Sequence, residues 1–449
     1  MLLPFLLCVL VLYAPLPPGG EAAPWAATVV GVLVLAALNA LAGWAGSTLA
    51  IRLALRPGRR GGMAALRIFT ALKGCAVGLV AADVFALHWP VFVQGLLGSS
   101  RWTLVAFDAL LLLPAVAMIF TVMAFQHRVE TRLTARSIPL ARYLWLRFRV
   151  ELAIVLVPWL LLVLATDLVD AAFLDSPHAR TADMLATLGV LACLLAGSPL
   201  LLRFIWSTSR LPDGPLRGRL EAFCRAQSFR CDGILVWHTG HHLTNAGVVG
   251  PTHLLRYVMI TDNLLDYCTE GEVAAVFAHE VGHVRRHHLS LYMLFAGAFL
   301  CIYANLMDLG AAFGWVRPLG DIFALDMTLR QGLVMVALAG VYWALVFGFV
   351  SRRLEQEADL FSIWSIEQPV DFLTALEKLA ALGGTPRAAA HWRHFSIARR
   401  VAWLQRVLEN PEVGRRFVRR LRVLKIVILA AFALLLARLL IVRPELFGM

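Results

Sequence analysis

Two histidines four residues apart with a glutamate beside the first, His279, Glu280 and His283, have the types and spacing for hydrolytic chemistry. On a helix, residues four apart stack on one face, so both imidazoles can be aimed at a single ion. The Glu280 carboxylate projects next to them, placed to take a proton from water activated at that ion. H-E-x-x-H therefore suits a divalent metal, zinc above all.

The flanks predict the helix this geometry needs. Thr269 and Glu272 form a T-x-x-E capping box, and Val273, Val276, Phe277, Val281 and Val284 follow at mostly helical spacing. A catalytic zinc wants three protein ligands and one open position. The best third candidate is Glu355, in the stretch Ser351 to Asp359. Glu355 and Asp359 share a helix face, while Glu357 points away. Glu355 can bind the metal, and Asp359 can accept a hydrogen bond from a ligand histidine's other ring nitrogen. Taken alone, that stretch reads as a solvated acidic helix face.

Topology decides between the two. After His283 the helix continues through Arg285, Arg286, His287 and His288, then turns apolar from Leu289 to about Trp315. A second apolar stretch runs from Leu329 to Val350. Each can cross a hydrocarbon layer of about 30 Å. Two crossings bring the chain back to its starting side. At 1.5 Å rise per residue, His283 and Glu355 each lie about 8–9 Å beyond the apolar boundary. An odd number of crossings would have kept them apart.

With these blocks in hand, the chain resembles the integral-membrane zinc metalloproteases of the CAAX prenyl protease type 1 and HtpX-like family, from about Leu211 to Leu404. Pro212 to Arg217 is similar to the family's entry into the protease domain. Asn245-Ala246 with Gly250 is similar to its substrate-side strand, and Ile260 to Leu265 to the segment before the metal helix. S-R-x-x-E-x-x-A-D stands at Ser351 to Asp359. His394 to Arg400 resembles the H-P-S-x-x-x-R block, with Phe395 where the family usually has Pro. The resemblance implies that His394 and Arg400 lie opposite the zinc, where imidazolium and guanidinium stabilise an oxyanion. His391 competes with His394 for that role. A strand carrying Asn245 and Ala246 could pair with an extended substrate backbone, or serve as an internal hairpin strand.

The rest of the chain holds this site at a membrane. Its 449 residues are 60% hydrophobic and 16% charged, with mean hydropathy +0.74, far too apolar for a water-soluble protein. Nine candidate spans fall near 2–16, 25–50, 66–88, 103–125, 152–174, 184–205, 289–315, 329–350 and 424–443. The first is short, lacks a basic flank and contains Pro4, so eight spans is the alternative. The net charge of +12 comes mostly from arginine, with Lys73, Lys378 and Lys425 the only lysines. These charges are not a nucleic-acid surface. They follow the second, fourth and sixth spans, while the loops at Pro17 to Pro24 and Asp175 to Asp183 carry few. This alternation puts the protease segments on the cytoplasmic side, with the remaining basic residues available to lipid headgroups. Arginine over lysine points to a GC-rich bacterial genome, hence a plasma (inner) membrane.

Cys224 and Cys231 could pair, but a cytoplasmic segment favours free thiols. His238, His241, His242 and His253 cluster without a supporting carboxylate, a weak case for a second metal. Helices are read at Leu216–Gln227, 370–382 and 397–408, and strands at 233–237, 245–249 and 256–260.

The fold expected is mainly α, a polytopic α-helical membrane protein with a small α+β gluzincin-type metalloprotease domain. Residues 1–206 form a membrane region of five or six spans. Residues 207–288 and 351–412 are the two protease halves, 289–350 the transmembrane hairpin, and 413–449 a basic segment with the C-terminal span. One zinc per subunit, held by His279, His283 and Glu355, would serve an endopeptidase acting on membrane proteins or peptides near the cytoplasmic face. Two other readings stand beside it: a ligand-sensing signalling protease, and a non-catalytic membrane scaffold.

Overall fold

The apolar stretches form helices. The computed structural model describes residues 8–9, 11–12, 25–55, 61–97, 104–133, 138–173, 179–240, 243–250, 252–313, 334–335, 337–382, 387–388 and 394–443. Among these, eight helices are long and apolar enough to cross a membrane: Trp25–Ala54, Arg67–Phe85, Ala106–Arg132, Leu140–Val169, Leu185–Ile205, His288–Leu309, Ala337–Ser365 and Pro411–Val442. They overlap eight of the nine spans read from the sequence. Most of the ninth, at 2–16, lies outside the described residues. Many of their large side chains face outward, Leu33, Leu41, Leu185 and Leu434 among them. Hydrocarbon, not water, is the solvent that suits such a surface.

The chain divides into two units, Met1–Gly197 with Leu201–Trp206, and Ser198–Leu200 with Ser207–Met449. The first is all helix: α1 (Trp25–Ala54), α2 (Gly61–Phe85), α3 (Trp89–Leu97), α4 (Leu104–Leu133), α5 (Leu140–Arg147), α6 (Ala153–Phe173) and α7 (Ala179–Ile205). A π-helical turn, Phe148–Leu152, joins α5 to α6. Small residues on α1, Gly43, Ser47 and Ala50, are buried where it packs on α2 and α4, and Leu111, Met118, Ile119 and Leu152 fill the core. Arg147 ties this bundle with ion pairs to Glu130 at 3.1 Å and Glu151 at 2.5 Å.

The second unit opens with a four-stranded sheet. Its strands are β1 (Thr208–Arg210), β2 (Gly233–Trp237), β3 (Ala246–Val249) and β4 (Tyr257–Thr261), in the order β1-β2-β4-β3. β2 and β4 run parallel, and the outer pairs are antiparallel. β3 is therefore an edge. Helices α8 (Pro215–Ala226), α9 (Asp262–Tyr267) and α10 (Glu270–Arg285) follow the strands. Leu220, Val258, Ile260, Phe277 and Val281 make the core between sheet and helices. Strand positions read from the sequence agree within one residue, but β1 and α9 are too short to show a period.

Helix α11 (His288–Phe313) overlaps the first apolar stretch of the expected hairpin, and the second stretch overlaps the span Ala337–Ser365, which holds the π-helical turn Tyr342–Phe347 and helix α12 (Gly348–Ser365). Then come α13 (Val370–Leu382), α14 (Ile397–Glu409) and α15 (Pro411–Val442). Leu291, Phe295, Tyr342, Phe347, Leu354 and Leu421 pack α11, α12 and α15 together.

One expectation is corrected. The helix that carries His279 and His283 does not run on through His288. α10 ends at Arg285, and His287 takes a left-handed backbone at φ 57° before α11 begins. Consecutive cations and histidines carry no helix-stop signal of the Gly or Pro kind, so the break is invisible to composition.

Candidate active site

The capping box forms as read: Thr269 Oγ1 accepts the Glu272 N–H at 3.3 Å, and Glu272 accepts the Thr269 N–H at 2.8 Å. Glu272 also takes Lys378 Nζ from α13 at 2.7 Å, which pins the start of α10 to the helix beside it. One turn before the helix ends stands Gly282, where an added Cβ would meet Phe361 of α12 at 3.1 Å. The missing side chain lets α10 and α12 approach closely. Ser362 Oγ donates to the Ala275 carbonyl at 2.7 Å across the same interface.

That approach brings the three sequence candidates together. His279 Nε2 lies 3.2 Å from His283 Nε2 and 3.6 Å from Glu355 Oε2, and His283 Nε2 is 3.7 Å from Glu355 Oε1. Among the described residues these three form the group able to hold a metal, with ligand atoms within 4.8 Å of one another. Two imidazole nitrogens and one carboxylate oxygen are the donor set that suits zinc with an open position. His238 and His253, of the second histidine cluster, are not part of any such group among the described residues; His238 pairs with Ser209 at 2.7 Å. His241, His242 and His391 lie outside the described residues.

The surroundings favour positive charge at this point. Asp359 Oδ1 is 3.0 Å from His279 Nδ1. Burial works against a charged His279, but the Asp359 and Glu355 carboxylates outweigh it and lift its pKa to about 10. His283, buried next to His279, is pushed the other way, well below the ordinary histidine value. Burial raises the Glu280 carboxyl to about 7, against the pull of nearby His279 and Arg400 and of the Val248 backbone. A carboxylate held near neutrality can both take and return a proton.

His394 and Arg400 also reach the site, by different routes. His394 Nδ1 lies 3.0 Å from Glu355 Oε2. Arg400 places Nε 3.0 Å from Asp359 Oδ2 and Nη2 2.5 Å from Oδ1, so its guanidinium fork is spent on Asp359. Both still line the cavity, of about 460 Å³, together with Asn245, Ala246, His279, Glu280, His283 and Glu355. Phe395, in place of the family's Pro, sits under Arg399 with the guanidinium 4.2 Å from its ring centre.

The edge strand runs beside α10. The Thr261 N–H bonds the Asn245 carbonyl at 3.0 Å, so Asn245 faces β4. By alternation, the backbone N–H and C=O of Ala246 then point away from the sheet, on the cavity side.

Sequence reasoning missed one group of partners. Glu357 does point away from His279, but it is buried, not solvated. Its Oε2 takes His288 Nε2 at 2.9 Å and Lys425 Nζ at 2.6 Å, and His288 Nδ1 lies 2.8 Å from His283 Nδ1. A histidine five residues past His283 was the signal, hidden in a run of cations.

Residues 222–408 match the model of Peptidase family M48. A protease HtpX homolog of Campylobacter hominis is 30% identical over 143 residues, 30% of this chain and 47% of that protein. A CAAX prenyl protease 1 homolog of Arabidopsis thaliana is 28% identical over 209 residues, 42% of this chain and 47% of that protein. The chain thus spans less than half the length of these relatives. The crystal structure of S. mikatae Ste24p shares 15% identity, with TM-score 0.48 over 85% of this chain and 99% of that one. Its apolar helices make the chain an integral-membrane protein, and across 222–408 it is similar to peptidase family M48.

Proposed function

We propose that this protein is a zinc-dependent endopeptidase that cuts membrane proteins or peptides close to the cytoplasmic face of a bacterial plasma membrane. The observation that carries this is the convergence of His279, His283 and Glu355 in a cavity beside a strand edge. Bound there, zinc would polarise the scissile carbonyl and make water a better nucleophile.

The chain's own groups do the rest. Glu280 takes the proton of the attacking water and hands it to the leaving amine. Asp359 holds His279 by its Nδ1, fixing the ring that ligates through Nε2. Arg400 holds Asp359 in turn, and His394 is the cavity group left to face the developing oxyanion. The outward backbone of Ala246 pairs with an extended substrate, fixing a peptide bond over the ion without reading its side chains. The apolar helices flanking the site limit substrates to those whose cleavable bond lies near the membrane surface. Arginine-rich segments after alternate spans support the cytoplasmic orientation.

The test compares membrane proteomes of cells carrying intact protein and Glu280→Gln. Membrane proteins or peptides should accumulate with the variant and be cut by the purified intact enzyme. An unchanged proteome, with purified wild type and variant equally active on those substrates, would remove Glu280 from its role.

A further inference from the structure

The side chains behind His283 lead out of the segment that matches the peptidase family. His283 sits at the end of a hydrogen-bonded line: His283 Nδ1 to His288 Nδ1 at 2.8 Å, His288 Nε2 to Glu357 Oε2 at 2.9 Å, and Lys425 Nζ to that same Oε2 at 2.6 Å. His288 and Glu357 are both buried. The four residues come from α10, α11, α12 and α15, and Lys425 on α15 lies past residue 408, where the family match ends.

Proton placement along this line has one consistent solution with a metal ligand at its end. Lys425 can only donate, and the Glu357 carboxylate can only accept. His288 then donates from Nε2, which leaves its Nδ1 as the acceptor. His283 must donate from Nδ1, so its Nε2 carries the lone pair, and Nε2 is the atom that faces His279 and Glu355. A ligand histidine whose other nitrogen is anchored keeps both tautomer and ring orientation.

Lys425 is what allows the anchor to be an ion. A buried carboxylate is costly unless it is paired and hydrogen-bonded. His288 supplies a hydrogen bond, and Lys425 supplies the cation, with a second contact to the Arg286 carbonyl at 3.4 Å. The chain has three lysines among 41 basic residues. A compact ammonium can share one oxygen atom with an imidazole N–H, where a guanidinium fork would compete for it.

We infer that Lys425 of the C-terminal helix is a positioning residue for the metal site, acting through Glu357 and His288 to fix the zinc-binding tautomer and orientation of His283. The inference rests on the reading above that His283 ligates zinc. Asp359 lies 3.0 Å from His279 Nδ1 as His288 lies 2.8 Å from His283 Nδ1, so each of the two histidines that would hold the metal has its own partner behind it.

The test measures zinc affinity of the full-length purified protein by competition with a chromophoric chelator, alongside thermal unfolding of the metal-free form. Lys425→Met should weaken zinc binding by about 10-fold or more. Adding Glu357→Gln to Lys425→Met should recover most of that loss, because a neutral amide needs no cation and still accepts from His288. Simple loss of helix docking would not be rescued this way. Asp308→Asn removes the ion pairs of α11 with Arg438 on α15 (3.7 Å) and with Arg443 just past it (2.8 Å), away from the site, and should leave zinc affinity unchanged. His283→Ala should abolish binding; if it does not, the ligand assignment itself is wrong. If it does, but Lys425→Met binds zinc like the wild type or Asp308→Asn weakens it equally, the line from Lys425 is overturned. Should Lys425→Met fail to fold, the double variant Glu357→Leu with Lys425→Met, which deletes the acceptor and removes both charges, takes its place: about 10-fold weaker zinc supports the line, unchanged affinity overturns it.

Discussion

Arg400 grips Asp359 with two arms of its guanidinium, and Asp359 is wholly buried against His279. This pair is the platform on which His279 stands. Arg400→Ala strands a buried carboxylate, and breaking such a pair costs about 3–5 kcal/mol. The expected result is a large fall in unfolding temperature of the metal-free protein, with zinc binding weakened. Arg400→Lys keeps the charge but not the fork, and should fall between wild type and alanine. Unfolding curves for the three proteins in the same detergent decide this.

Glu280→Gln should remove proton transfer and leave the metal in place. Loss of a general base typically lowers the rate by about 10²–10⁴-fold. Elemental analysis should give the same zinc content for variant and wild type. His279→Ala and Glu355→Ala, by contrast, should lose both zinc and activity.

Ala246→Pro deletes an N–H on the outer side of β3 without removing a rung of the β3–β4 ladder, and proline is tolerated at such an edge position. If that N–H binds substrate backbone, kcat/KM should fall by about 10-fold, in keeping with a hydrogen bond of about 0.5–1.5 kcal/mol. Zinc content and unfolding temperature should stay as they are. A variant with wild-type kcat/KM would take the strand out of substrate binding.

Acid should loosen the start of the metal helix. Burial alone would raise the Glu272 carboxyl, but Lys378, the Thr269 N–H and Thr374 outweigh it and hold its pKa below the ordinary 4.5. A folded-state pKa below the unfolded one means stability present above about pH 4.5 and lost as pH falls through the lower folded value. Unfolding temperature against pH should therefore drop in that acid window. Glu272→Gln should lower the neutral-pH value and flatten that part of the curve.

Much of the site can be read from residue types and spacing. His279, Glu280 and His283 reveal themselves through helix periodicity, and Glu355 through the parity of membrane crossings. Asp359 follows from lying one turn past Glu355. What escapes is side-chain direction over long sequence distance. Glu357 looks solvated because helix geometry places it off the metal face, and only the packing of α11 and α15 shows that this second face is buried too. Arg400 is legible as a site residue, but its commitment to Asp359 is not, since a guanidinium in a cavity can point at substrate or at protein equally well. The turn at His287 is lost for a different reason. A left-handed residue that is neither Gly nor Asn leaves no mark in composition, yet it is what folds His288 back onto His283.

His279 and His283 stand on α10 and Glu355 on α12, with α11 between them in the chain. On the proposal that these three side chains hold the metal, a chain still being made that has released only its two histidines has an incomplete set of ligands. On that reading, hydrolytic competence waits for α12 to be made and packed, and the order of the chain itself acts as a safety catch.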